Sequence, residues 1–335
     1  MTSNYLPVFE LTRGKTIESV HHGCVAVVDV QGNLLAWYGD PDTVTFLRSS
    51  AKPFQALPFV ERGGVEAYNL SQKELAILCA SHSGTDDHVA TVRGIQARVG
   101  ISEAELLCGV HDPGDQPTLE AMRERKEKPT PVRHNCSGKH TGMLMFTRLS
   151  GTATKDQDYI DPQHPIQKVI LQTFAEMCAF PAAEIGMGTD GCSAPNFALP
   201  LRYAAFGFAR LCDQLAGRVK PPERAAACQA ITSAMTSHPV MVGGPGRFDT
   251  RLMEVGQGRI VAKGGAEGYQ GVGLAPGMLG PDAPAVGIAL KIADGDARGK
   301  VRSAVMLEVL RQLGALTQEQ MDAIADMGPD YPIYN

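Results

Sequence analysis

Apolar and polar residues alternate along Val8-Phe9-Glu10-Leu11-Thr12-Arg13 and stop at Gly14, which predicts a strand. Two further β runs, Gly23 to Val30 and Leu34-Leu35-Ala36-Trp37-Tyr38, flank Gln31-Gly32-Asn33, a turn signal that predicts a hairpin. From Lys52 to about Thr236 the period changes to that of helices. The pattern predicts them over 52–61, 71–80, 87–99, 117–127, 138–148, 165–179, 201–216 and 222–236. Ser71-Gln72-Lys73-Glu74 has the form of a capping box, Ser at the cap and Glu three residues on. The stretches 109–117, 128–137 and 186–196 are rich in Gly, Asp, Pro and Asn and predict loops.

After Arg247 the strands return, over 259–263, 268–274 and 285–292, and a helix from about Ala297 to Leu313 follows. No internal repeat and no low-complexity linker interrupts this order. The expected fold class is therefore α/β of the α+β kind. An antiparallel sheet would be built from the N- and C-terminal segments, with a large helical region inserted between them. The chain is expected to be one catalytic unit, residues 1–48 with 248–335 forming one part and 49–247 the other. A site would lie in the cleft where the two parts meet.

Composition narrows the class. The 335 residues are 44% hydrophobic and 20% charged, ordinary for a soluble globular protein. A net charge of -5 gives no reason to expect nucleic acid or an anionic membrane as partner. The start, Met1-Thr2-Ser3-Asn4-Tyr5-Leu6-Pro7, has no basic, apolar signal pattern, and no run approaches the length of a membrane span. The eight cysteines form no C-x-x-C pair, and several lie in apolar runs such as Ile77-Leu78-Cys79-Ala80, where a reduced thiol is expected. A cytoplasmic location is the expectation.

Five stretches carry candidate chemistry. Arg48-Ser49-Ser50-Ala51-Lys52-Pro53 precedes the helix of 52–61, so Ser49 and Lys52 lie three residues apart on one face. A hydroxyl beside a neutral amine is a nucleophile-and-base pair, although a Ser cap followed by a solvated Lys fits the same letters. Cys79-Ala80-Ser81-His82-Ser83-Gly84 closes another helix and either ends it in polar fashion or delivers a second hydroxyl to the cleft. Ile260-Val261-Ala262-Lys263-Gly264-Gly265 places a lysine at a strand end, followed by glycines that leave room for a ligand against the backbone. His134-Asn135-Cys136-Ser137-Gly138-Lys139-His140 and Asp190-Gly191-Cys192-Ser193 bring two cysteines and nitrogen donors. That is a reasonable zinc set, or else two ordinary buried thiols.

These motifs, in this order, resemble the rhizobial-type L-asparaginase II family, from Arg13-Gly14 to about Ile292. The family is unrelated to the threonine-dependent bacterial asparaginases and is serine β-lactamase-like and glutaminase-like in fold. The resemblance implies hydrolysis of L-asparagine to L-aspartate and ammonia through two Ser-Lys pairs, Ser49 with Lys52 and Ser81 with Lys263. It also implies a zinc held by Cys136, Lys139 and Cys192 with water, and a homodimer. Charge matching makes Arg48 and Asp190 candidates for the substrate's α-carboxylate and α-amine. Two rival readings stand beside this one. The first is another Ser-Lys amide or ester hydrolase of glutaminase or penicillin type, the latter disfavoured by the missing signal pattern. The second is a non-catalytic zinc or amino-acid binding protein, which would not need two Ser-Lys pairs.

Overall fold

The computed structural model describes residues 4–153, 157–213 and 219–328. Strands β1 (Leu6–Arg13), β2 (Thr16–Asp29) and β3 (Leu34–Tyr38) come from the N-terminal segment. The short β4 (Val44–Phe46), β5 (Gly186–Thr189) and β6 (Pro195–Pro200) follow, and then β7 (Ile260–Gly264), β8 (Tyr269–Leu274) and β9 (Val286–Ile292). The main sheet is antiparallel with order β1-β2-β9-β8-β7, and β3 also pairs with β2. It is drawn from both ends of the chain, as expected.

The 14 residues of β2 divide by composition. Its polar first half pairs with β1 and is exposed. Its apolar second half, from Cys24, lies between β3 and β9 and is buried. The expected hairpin forms because Asp29 Oδ1 accepts from both Gln31 N and Asn33 N at 2.9 Å, closing the turn.

The longer helices are α1 (Lys52–Glu61), α2 (Gln72–Leu78), α3 (Asp86–Val99), α4 (Gln116–Glu124), α5 (Ser137–Leu149), α6 (Pro165–Cys178), α7 (Leu201–Cys212), α8 (Pro222–Ser237), α9 (Phe248–Val255) and α10 (Val301–Gln312). Helix α7 packs on β2, β8 and β9, while α10 packs on β1, β8 and β9. Helix α1 is buried from Lys52 through Val60, apolar nearly all round, which makes it the central helix of the inserted region. Its Phe54 meets Phe174 of α6 and Phe208 of α7 edge to face, tying that region to the sheet. The capping box at Ser71 and Glu74 is present. No helix of the described residues is long and apolar enough to cross a membrane.

Two expectations fail locally, and one helix was not expected. The stretch 186–196, expected as a loop, contains β5 and the start of β6, which form a small second sheet with β4. Strands this short have no stability of their own, and the β4–β6 pairing joins segments about 150 residues apart in sequence, which no local pattern signals. The three strands expected after Arg247 are present as β7, β8 and β9, and ahead of them lies a helix that was not expected, α9, with Phe248, Leu252 and Met253 as its buried stripe. The helix expected over 201–216 is α7, ending at Cys212, and its last expected residues, 214–216, lie outside the described residues.

One close approach fixes where the site's helices lie. A side chain at Gly138 would place its Cβ 2.1 Å from the Ile77 carbonyl oxygen, so α5 docks on α2 only because that residue is glycine. Gly138→Ala is expected to destabilise the protein by about 1–3 kcal/mol, read as a lower urea midpoint. Gly142→Ala, one turn along and 3.5 Å from the Leu78 side chain, should be neutral or mildly stabilising. Equal midpoints for Gly138→Ala and wild type would mean that this contact does not set the helix position.

Candidate active site

The site begins with a strained turn. Arg48 has φ of 53°, in the left-handed region that non-glycine residues seldom occupy, and opens a single 3-10 turn, Arg48–Ala51, ahead of α1. Two hydrogen bonds hold it: Leu47 N donates to Phe197 O and Arg48 N donates to Asn196 Oδ1, each 3.0 Å. Strand β6 therefore fixes the turn from the side. The Ser49 hydroxyl emerges from this turn with no hydrogen-bond partner among the described residues, facing a cleft of about 270 Å³. That cleft is also lined by Ser81, Asn135, Arg247, Gly264, Gly265 and Arg302.

Beneath the cleft floor lie two lysines. Lys52 is 1% exposed and Lys263 is 0% exposed, so neither is a solvated surface cation. Lys52 Nζ donates to Ala80 O at 2.6 Å, to Ser81 Oγ at 2.8 Å and to Asn135 O at 3.4 Å. Lys263 Nζ donates to the same Ser81 Oγ at 3.0 Å and to Gly264 O at 2.8 Å. The expected two separate pairs are thus one network with Ser81 at its centre, and Lys52 is hydrogen-bonded to Ser81 and not to Ser49. Burial pulls Lys263 down to about 7, with the nearby Lys52 ammonium adding to the effect against the opposing pull of Asp249.

The glycines after Lys263 serve packing as well as access. A Cβ at Gly265 would lie 2.3 Å from the Leu47 carbonyl, so β7 reaches the Ser49 turn only with glycine there. Ser50 Oγ then donates to the Lys263 carbonyl and ties turn to strand. On the other side His82 bridges two motifs: its Nδ1 accepts from Gly84 N, and its Nε2 lies 2.9 Å from Ser137 Oγ. Burial holds this imidazole well below the usual histidine range, so it is neutral and acts as a spacer.

The sulfur-bearing motifs converge beside this network. Lys139 Nζ lies 2.9 Å from Cys192 Sγ, and the Cys136 thiol donates to Asn135 Oδ1 at 3.1 Å. The neighbouring Cys192 pulls Cys136 well below its ordinary value, and Cys136 in turn pushes Cys192 up. Lys139 is buried, which works against its charge, yet the two neighbouring sulfurs hold it above the usual lysine value. All eight cysteines are buried and none is in a disulfide. Among the described residues no group of three or more His, Cys, Asp or Glu side chains is placed to hold a metal, so a metal here would need the Lys139 nitrogen as a third donor. Two buried sulfurs and an amine, the amine 2.9 Å from one of them, do fit a soft divalent ion such as zinc, which would displace their protons.

Arg48 Nε donates to Asp190 Oδ1 at 2.7 Å, so these two face each other at the cleft's edge. Burial raises Asp190, but Lys139 and then Arg48 outweigh it and hold the carboxyl below its ordinary value. Sequence reasoning passed over Arg247, Asp249, Gln270 and Arg302, which surround Lys263 or line the cleft. The run Gly243-Gly244-Pro245-Gly246 immediately before Arg247 is a turn signal that marks part of this group.

A family model described as L-asparaginase II matches residues 9–331. No curated protein matches the chain in sequence. Among solved structures the chain is similar to Mglu in its native form, at 12% identity over 89% of this chain and 67% of that one, with a TM-score of 0.43. It is also similar to the Bacillus subtilis glutaminase YbgJ in covalent complex with 5-oxo-L-norleucine, at 12% identity over 92% and 93% of the two chains and a TM-score of 0.39. For a Bacillus glutaminase in 4.3 M NaCl the figures are 10%, 87%, 90% and 0.38. Because the family match spans nearly the whole chain and takes in every side chain of the cleft described above, the protein belongs to the L-asparaginase II family and is an amidohydrolase.

Proposed function

We propose that the protein hydrolyses L-asparagine to L-aspartate and ammonia, with Ser49 as nucleophile. The observation that carries this reading is Ser81 Oγ held between two buried lysine amines, 2.8 and 3.0 Å away, under a cleft into which a free serine hydroxyl opens. A binding protein gains nothing from burying two amines around one hydroxyl. An amide hydrolase needs such a proton path.

In this reading Ser49 Oγ attacks the side-chain amide carbon, and its proton passes to Lys52 as that ammonium hands one of its own through the Ser81 hydroxyl to Lys263. Through the Ser81 hydroxyl Lys52 is connected to Lys263, which is neutral above about pH 7 and able to take up a proton. The tetrahedral oxyanion is met by backbone N–H groups at the Ser49 turn. The C–N bond then breaks as the nitrogen receives a proton relayed through Ser81, and ammonia leaves. Water attacks the resulting ester, its proton following the same path, and L-aspartate is released with Ser49 restored.

Arg48 and Asp190 are proposed to meet the substrate's α-carboxylate and α-amine as a pre-formed ion pair. Cys136, Lys139 and Cys192 would hold a zinc. When bound, the ion would supply a fixed positive charge that positions substrate, and it is not the source of the nucleophile.

Ser49→Ala should lower kcat for L-asparagine by several orders of magnitude in a folded protein, measured as ammonia release, with L-glutamine and nitrocefin as comparison substrates. Activity within about tenfold of wild type would remove Ser49 from the mechanism.

The pH dependence has a definite sign. Lys263 loses its proton as pH rises through about 7, and the proton-accepting form is the deprotonated one. The kcat profile should therefore climb between pH 6 and 8 and level off by 9. A flat profile over that range would exclude a lysine of this kind as the base.

The metal has its own test. Protein purified without chelators should carry about one zinc per chain by elemental analysis. Cys136→Ala and Cys192→Ala should each lose most of it, whereas Ser49→Ala should keep it. Full occupancy in the Cys136→Ala, Cys192→Ala double variant would place the metal elsewhere.

A further inference from the structure

Lys263 is packed against a buried carboxylate that the reaction scheme above does not use. Asp249, on the second residue of α9, has Oδ2 3.9 Å from Lys263 Nζ. Its two oxygens are fixed from the sheet: Oδ2 accepts from Gly264 N at 2.7 Å and Oδ1 from Gln270 Nε2 at 3.0 Å. Burial raises Asp249, but Lys263 and Arg302, with these hydrogen bonds, outweigh it and keep the carboxyl below its ordinary value, so it is ionised.

The other groups facing Lys263 work in the opposite direction. Lys52 on α1, Arg247 just before α9 and Arg302 on α10 are cations, and each pushes the proton off Lys263. Cys79, at the end of α2, is buried with its thiol pushed up to about 12 and is neutral. Of the cleft's remaining carboxylates, Glu267 is exposed, and Asp296 is engaged by the backbone N–H groups of Lys300, Val301 and Arg302. Among the described residues Asp249 is the one anion within 4 Å of Lys263 Nζ.

We infer that Asp249 is a positioning residue for the hydrolysis: through its charge and its fixed place beside β7 it holds the Lys263 amine under Ser81 and sets that amine's proton affinity. At 3.9 Å it acts through the field and not through a hydrogen bond, because Lys263 already donates to Ser81 Oγ and Gly264 O. Without the carboxylate, three cations and burial would act on Lys263 unopposed, and the amine would become too weak a base to draw a proton through Ser81. This inference rests on the role proposed for Lys263.

The test compares the pH profiles of kcat and KM for L-asparagine, from pH 5 to 9.5, in wild type, Asp249→Asn and Asp249→Glu. Asn is close in shape to Asp, and Gln270 Oε1, which has no partner among the described residues, is available to accept from the new amide, so the packing has a way to persist. Asp249→Asn should move the rising limb down by about one pH unit or more and lower plateau kcat tenfold or more, with KM little changed. Asp249→Glu keeps the charge and should restore the midpoint to near the wild-type value even if kcat is reduced. A folded Asp249→Asn with a wild-type midpoint overturns the inference. If Asp249→Asn does not fold, Asp249→Glu decides: a midpoint near wild type supports the inference, and one displaced downward by a unit overturns it. A wild-type enzyme with no limb at all would refute the role of Lys263, and this inference with it, before any variant is made.

Discussion

Two lysine amines share one serine oxygen in the interior of this protein, and the rest of the site is built to make that tolerable. A buried ammonium is expensive unless its donors are satisfied and its charge is shared or removed. Lys52 meets three oxygens from two different loops, while Lys263 meets Ser81, a backbone carbonyl and, at longer range, Asp249. Each of those acceptors comes from an element whose position depends on something else. The Ala80 and Ser81 loop is carried by α2, Asn135 precedes α5, and β7 reaches the site across glycine. The cost remains visible as pH dependence. The folded protein binds the Lys263 proton more weakly than an unfolded chain does. Stability from this group therefore rises with pH from about 7 toward the ordinary lysine value, opposite to a lysine held in a favourable ion pair.

The strained turn at Arg48 belongs to the same construction. A left-handed arginine before the serine costs on the order of 1 kcal/mol or more, and it is held by hydrogen bonds from β6 and by packing of β7. In exchange the Ser49 hydroxyl stands clear of acceptors among the described residues and opens into the cleft. Arg48 also turns its guanidinium onto Asp190, whose loop carries Cys192, and Cys192 contacts Lys139. Charge thus runs continuously from the serine turn to the sulfur cluster. The charge of Lys52 also lowers Cys136, whose thiol donates to Asn135 Oδ1, so the two clusters meet at the start of α5.

Much of this was legible in the sequence. Hydrophobic period alone placed the β2–β3 hairpin, the long run of helices and the return of strands, because these elements bury one face or both and the pattern records it. The capping box at Ser71 gave a helix start to the residue. The motif order around Ser49, Ser81, Cys136, Lys139, Cys192 and Lys263 identified the family, and those side chains do converge. The small β4-β5-β6 sheet was not legible, since its strands are too short to carry a period and find partners across about 150 residues of chain.

What only tertiary structure decided is who touches whom. Sequence spacing paired Ser49 with Lys52 because they share a helical face, yet the amine reaches Ser81, 29 residues away, since that is where the buried acceptors are. A lysine at a strand end is solvated by default, but Lys263 is enclosed because α9 and α10 close over β7 and β8, and nothing in the letters Ala-Lys-Gly-Gly says so. Asp249 and Gln270 have no motif, and their part in the site exists only through the pairing of β7 with β8 and the seat of α9. The chain's own letters determined which chemical groups are available and which elements carry them. Burial and long-range pairing decided which of those groups face one another, and so which proton each can hold.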